Sequence, residues 1–167
     1  MRDMDNAIAA LFLDYSCRKL ETMTDNLQVC VGKLSDTQIW ERHGTHENSV
    51  GNLMLHLCGN MRQWVIAGVG GALDVRRRDE EFCAAGGMDG EELMGRFSVT
   101  VAEALKIIAE LPAERLVEII HPQGQTVSVL EAIYQVVGHV QQHVGQIILL
   151  TKQMTGTDLD LTMPRPR

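Results

Sequence analysis

At 167 residues, 45% hydrophobic and 22% charged, the chain fits one domain, 1–167, with a sizeable core and the balance of a globular protein. A formal net charge of −7 argues against nucleic-acid binding through phosphate neutralisation. No apolar run approaches the roughly 18 residues of a membrane span, and the opening MRDMDNAIAALFLDY carries acids where a cleavable signal would be apolar, so a cytoplasmic protein with neither a membrane nor a nucleic-acid partner is expected.

From Asp5 to about Leu34, the positions of Ile8, Leu11, Phe12, Tyr15, Met23, Leu27 and Val31 follow a broadly helical rhythm without a proline. The stretch SDTQIWERHGTHEN reads as a turn in which Trp40 plugs the core. Asn48 or Ser49 then caps a second long helix that runs to about Ala67. The segment from Gly68 to Met88 shows no periodicity and reads as a long connection. Within it, Arg76, Arg77 and Arg78 followed by Asp79, Glu80 and Glu81 read as a solvated loop rather than an anion site.

Asp89 with Glu92 makes a capping-box start for a third helix, which ends near Leu111 before Pro112. RLVEIIHPQGQT is too interrupted for a long helix and reads as an extended segment or a small hairpin. Ser128 with Glu131 opens the last helix, which continues to about Met154 and stops near Gly156, leaving TDLDLTMPRPR to fray. The expected class is all-α: a four-helix bundle with one long crossover connection. Cys17, Cys30, Cys58 and Cys83 are widely spaced and read as small buried hydrophobes in a reducing compartment.

The chemistry concentrates in histidines. His139 and His143 in GHVQQHVGQIILL are one helical turn apart and share a face with Gln135 and Gln146. His56 in NLMLHLCGN falls on a second polar stripe with Asn52, Asn60 and Gln63. Two narrow polar stripes on otherwise apolar helices are explained if they face one another, because buried polar groups need partners. One divalent ion would satisfy three imidazoles at once. The residues alone leave two readings open: a metal site, or histidines satisfied within the core or at the surface. The other three histidines, His43, His46 and His121, read as loop residues, with His46 close enough to the second helix to approach a cavity mouth. A zinc protease would place a glutamate directly after the first histidine of the pair, where this chain has Val140. Nitrogen donors suit zinc, nickel, iron or cobalt.

ENSVGNLMLHLCGNMRQW, RRRDEEF and HVQQHVGQI together resemble the DinB/YfiT-like metalloenzyme superfamily, specifically an uncharacterised branch with an Asn-rich second helix before an Arg-Asp-Glu-Phe loop. The similarity spans about Asp5 to Met154. It implies an up-and-down bundle with a long crossover, a metal held by His56, His139 and His143, and a homodimer. It also implies thiol-dependent transferase or isomerase chemistry with a low-molecular-weight thiol such as bacillithiol, mycothiol or glutathione. Arg62, Arg76 and Arg78 are candidates for engaging a carboxylate of such a thiol. The leading expectation is therefore a metal-dependent thiol S-transferase acting on a small electrophilic substrate, with zinc or nickel foremost and iron or cobalt as further candidates. Hydrolysis by metal-bound hydroxide is one alternative, and a non-catalytic metal- or ligand-binding dimeric bundle is another.

Overall fold

The computed structural model describes residues 2–161. Four long helices carry it: α1 (Arg2–Val31), α3 (Val50–Met61, continuing as a π-helix over Arg62–Val69), α5 (Gly90–Ala109) and α6 (Val129–Thr155). Two short helices lie between them, α2 (Asp36–Trp40) and α4 (Arg78–Cys83). α1 packs against α5 and α6, and α3 packs against the same two helices, so α1 faces α3 and α5 faces α6 across the bundle. The core is continuous through all four, with Leu20, Leu27, Leu57, Met61, Phe97, Ile133 and Ile147 fully buried.

Sequence chemistry sets the helix ends. Ser49, Asp89 and Ser128 cap α3, α5 and α6, each accepting from the backbone N–H three residues on, while Asn52, Glu92 and Glu131 reach back to the cap. α6 stops at Gly156, whose φ of 65° is the left-handed conformation glycine tolerates. The RLVEIIHPQGQT stretch forms the small hairpin, with β1 (Ile119–Ile120) antiparallel to β2 (Val127–Ser128).

Several local expectations are corrected. The predicted turn after α1 contains α2, closed by a Ser35–Gln38 capping box. Trp40 is only half-buried; it packs on Gly51 and donates from Nε1 to the Met88 carbonyl at 2.7 Å. The connection expected over Gly68 to Met88 is not wholly irregular, because Gly68 and Val69 still belong to the π-helix and α4 occupies its centre. Of the tail expected to fray, Leu159 is buried and Lys152 pairs with Asp158 at 3.5 Å, while residues 162–167 lie outside the described residues. Cys30 and Cys58 are buried as expected, Cys17 is partly so, and Cys83 is exposed. No helix among the described residues is long and apolar enough to cross a membrane.

Candidate metal centre

α3 and α6 bring the three histidines together. One ring nitrogen from each of His56, His139 and His143 lies within 4.8 Å of the others, and among the described residues no carboxylate or thiolate joins the group. His56 is 6% exposed, whereas His139 and His143 are half-buried, so the cluster is closed on the α3 side and open on the α6 side. The rings meet edge-on, with centroids 4.4 to 5.2 Å apart.

The donor set fits a divalent ion. His56 Nε2 and His139 Nε2 are 2.9 Å apart, close to what two nitrogens require when each is about 2.1 Å from one ion at roughly a right angle. His56 Nδ1–H donates to Glu81 Oε2 at 3.0 Å, and His143 Nδ1–H donates to Gln146 Oε1 at 2.6 Å. Each bond fixes the tautomer that leaves the Nε2 lone pair free, the arrangement usual for a ligating histidine. Burial, reinforced by His143, His56, Arg76 and Arg78, pushes the His139 imidazole down to about 4. Burial, with the nearby His56, also lowers His143, against the bond it donates to Gln146. Both rings are thus neutral near pH 7, the form that ligates.

Behind His56 stands a group that sequence reasoning missed. Glu81, in α4, is buried, and Arg76 clamps it with two bonds: Nε to Oε1 at 2.7 Å and Nη2 to Oε2 at 2.8 Å. The Arg76 and Glu81 side chains are only 3% and 9% exposed, so the two ends of the RRRDEE run are interior while its middle, 77–80, stays exposed as expected of a solvated loop. Burial works against the Glu81 carboxylate, yet the bonds and charges of Arg76 and His56 hold it below the usual carboxylate range. Arg76 Nη1 also donates to Gln63 Oε1 at 2.9 Å, and Gln63 in turn donates to Asp74 at 2.8 Å. A strut therefore runs from the crossover through Glu81 to the back of a metal-ligand candidate.

Two positions on α3 make room for the strut. A Cβ at Gly59 would collide with Glu81 Oε1 and stand 2.9 Å from Arg76 Nε. Asn52, buried at the start of α3, donates to the carbonyls of Glu81 and Ala84 at 2.9 and 2.7 Å, holding the end of α4 in place. The polar stripe thus serves the site indirectly at Asn52 and directly, on α6, at Gln146. Asn60, one turn beyond His56, keeps a buried Oδ1 with no donor from the described residues.

The remaining candidates separate. Arg62 pairs with Glu103 on the surface at 3.2 Å and Arg76 is committed to Glu81, so of the three arginines suggested for carboxylate binding only Arg78 has no carboxylate partner among the described residues. His43 and His46 are exposed and line a cleft of about 560 Å³ that Gln146 also borders, and His121 is an exposed residue contacting Thr126. A second cleft of about 600 Å³, lined by Trp64, Tyr134 and Gln135, starts one turn before His139. Both lie in the size range of small-molecule sites, and the histidine pair sits between them along α6. Cys58 is pushed up to about 11, chiefly by burial, and is no nucleophile at neutral pH.

Solved structures share this fold, among them the following two. A conserved protein from Enterococcus faecalis superposes with a TM-score of 0.72 at 13% identity, covering 86% of this chain and 97% of that one. A DinB-like protein from Bacillus cereus gives 0.68 at 14% identity, covering 89% and 93%. The class is therefore the DinB-like helical fold. Residues 7–167 match the family described as "Protein of unknown function (DUF1572)", and the chain belongs to that DinB-like family. No curated protein matches the chain in sequence.

Proposed function

We propose that the protein is a metal-dependent enzyme in which His56, His139 and His143 hold one divalent ion, zinc or nickel before iron or cobalt, and that it transfers a small thiol to an electrophilic small molecule. The observation that carries this reading is the asymmetry of the site: three neutral nitrogen donors from two helices, closed behind by Glu81 and open along α6. Three protein ligands with an accessible side are the pattern of catalytic rather than structural sites. A bound ion would supply Lewis acidity that lowers the pKa of a thiol reaching the open side.

The chain's own residues do the rest. Glu81 and Gln146 orient two rings and keep their Nε2 atoms unprotonated. Neither acts on a substrate: Glu81 is occupied by Arg76 and lies at the far nitrogen of His56. That placement favours thiol transfer over hydrolysis, which needs a carboxylate or comparable base beside the reacting water. The thiols of Cys17, Cys30 and Cys58 are all shifted upward, chiefly by burial, so none of these three supplies the reacting sulfur.

Metal-free and metal-reconstituted protein, assayed with several cellular thiols and a generic chromogenic electrophile, tests this reading. At least one thiol is expected to show a rate that depends on both metal and protein. No metal-dependent rate with any thiol would overturn it.

A further inference from the structure

The arginines of this acidic chain are largely occupied. Arg18, Arg62, Arg76, Arg77 and Arg115 each hold a carboxylate at 2.7 to 3.2 Å. Arg78 holds none among the described residues. Its guanidinium carbon instead lies 4.9 Å over the Phe82 ring, one helical turn on in α4. Phe82 in turn packs on the His56 imidazole with centroids 4.8 Å apart. Arg78 is thus a single ring removed from the ligand cluster. It is exposed, and its positive charge is among those that disfavour a proton on His139.

A guanidinium carried over an aromatic ring is held by the cation–π contact and not by a carboxylate, so its N–H donors stay available to an anion. Those donors match a planar carboxylate in a two-pronged bond. A second cation converges on the same residue: Arg42, from the segment before α3, donates to the Phe82 carbonyl at 3.4 Å. In a chain of net charge −7, two arginines from separate segments, neither with a carboxylate partner among the described residues, contact the same Phe82.

We propose that Arg78 is a specificity residue at the mouth of the metal centre, binding the carboxylate of a small organic anion whose reactive end lies at the three imidazoles. This deepens the thiol-transfer reading and rests on its metal centre. The carboxylate belongs either to the thiol or to the electrophile, and the same chemistry recognises both.

Cobalt(II)-reconstituted protein tests the assignment, because its visible spectrum reports ligands without turnover. The probes are 2-mercaptoethanol, 3-mercaptopropionate and propionate, titrated into wild type, Arg78→Gln and Arg78→Lys. The unliganded cobalt spectrum checks that each variant keeps its site. If the thiol carries the carboxylate, 3-mercaptopropionate binds about tenfold tighter than 2-mercaptoethanol, and Arg78→Gln brings that ratio near one while Arg78→Lys keeps part of it. If the electrophile carries it, propionate binds protein already saturated with 2-mercaptoethanol, and Arg78→Gln weakens that binding by a similar factor. Ratios that are the same in wild type and Arg78→Gln for every probe would overturn the proposal, even where the thiols themselves bind. Conversely, Arg78-dependent propionate binding without a spectral response to either thiol would sustain the anion site and remove the thiol reading.

Discussion

Glu81→Ala is expected to destabilise the protein by about 3–5 kcal/mol, because it leaves the Arg76 guanidinium buried without its counter-ion. For a chain of this length that corresponds to a fall in melting temperature on the order of 10 °C. The Arg76 side chain is 3% exposed and also within 3.1 Å of His56 Nδ1, so the orphaned charge would press on a ligand candidate as well as on the core. Glu81→Gln retains an acceptor but not the charge, and costs less stability. It should nevertheless weaken metal affinity by about 10- to 100-fold, as loss of a partner behind a ligating histidine commonly does. The double variant Arg76→Met, Glu81→Leu separates the two effects. Replacing a whole buried pair with apolar groups is often neutral for stability, while metal affinity stays low because His56 Nδ1 has lost its acceptor. Thermal melts of the metal-free proteins and competition titrations with a chelating dye read both quantities. A Glu81→Ala melt within 2 °C of wild type would show that the strut carries no such weight.

Gly59→Ala probes the same strut from α3. Alanine is worth up to about 1 kcal/mol more than glycine in a helix interior, so propensity alone predicts a more stable protein. Here the added Cβ falls on Glu81 Oε1, and the carboxylate cannot retreat without breaking its bonds to Arg76 and His56. Overpacking of this kind costs about 1–3 kcal/mol, and the buried ion pair raises it toward the top of that range. The net expectation is destabilisation by about 1–2 kcal/mol together with weaker metal binding. Gly95→Ala is the control: it lies on α5 with open space where a Cβ would go, and should raise the melting temperature. Equal gains from both substitutions would contradict the packing seen at Gly59.

What could be read from the sequence and what could not divide along a physical line. The long helices and their ends were legible because they depend on residues three or four apart. Ser49, Asp89, Ser128 and Gly156 all mark ends where local capping chemistry places them. His139 and His143 share a face for the same reason, and His56 joins them because its stripe is a buried polar interruption on a helix that is otherwise apolar. α2 carries its own capping-box signal, Ser35 with Gln38, but five residues are too few for periodicity to confirm. The π-helical continuation of α3 has no recognised composition signal.

Glu81 and Arg76 were hidden for a different reason. Six consecutive charges normally satisfy one another in water, as Arg77 and Glu80 do here at 3.1 Å. That two of the six turn inward depends on Gly59 leaving a notch, on Asn52 gripping the α4 carbonyls and on Gln63 meeting Arg76, all contributed by the facing helix. Such complementarity lies in no local pattern. The glycine within an otherwise apolar run of α3 was the available hint, since an interior helical glycine often marks a close approach.

The metal content of protein purified without an affinity tag, measured for wild type and for His139→Ala, decides whether the three imidazoles hold one ion. Close to one divalent ion per chain is expected in the wild type, with a steep loss in the variant and its helical content retained. Wild-type protein without stoichiometric metal after incubation with zinc, nickel, iron and cobalt in turn, or a variant that keeps its ion, would contradict that expectation.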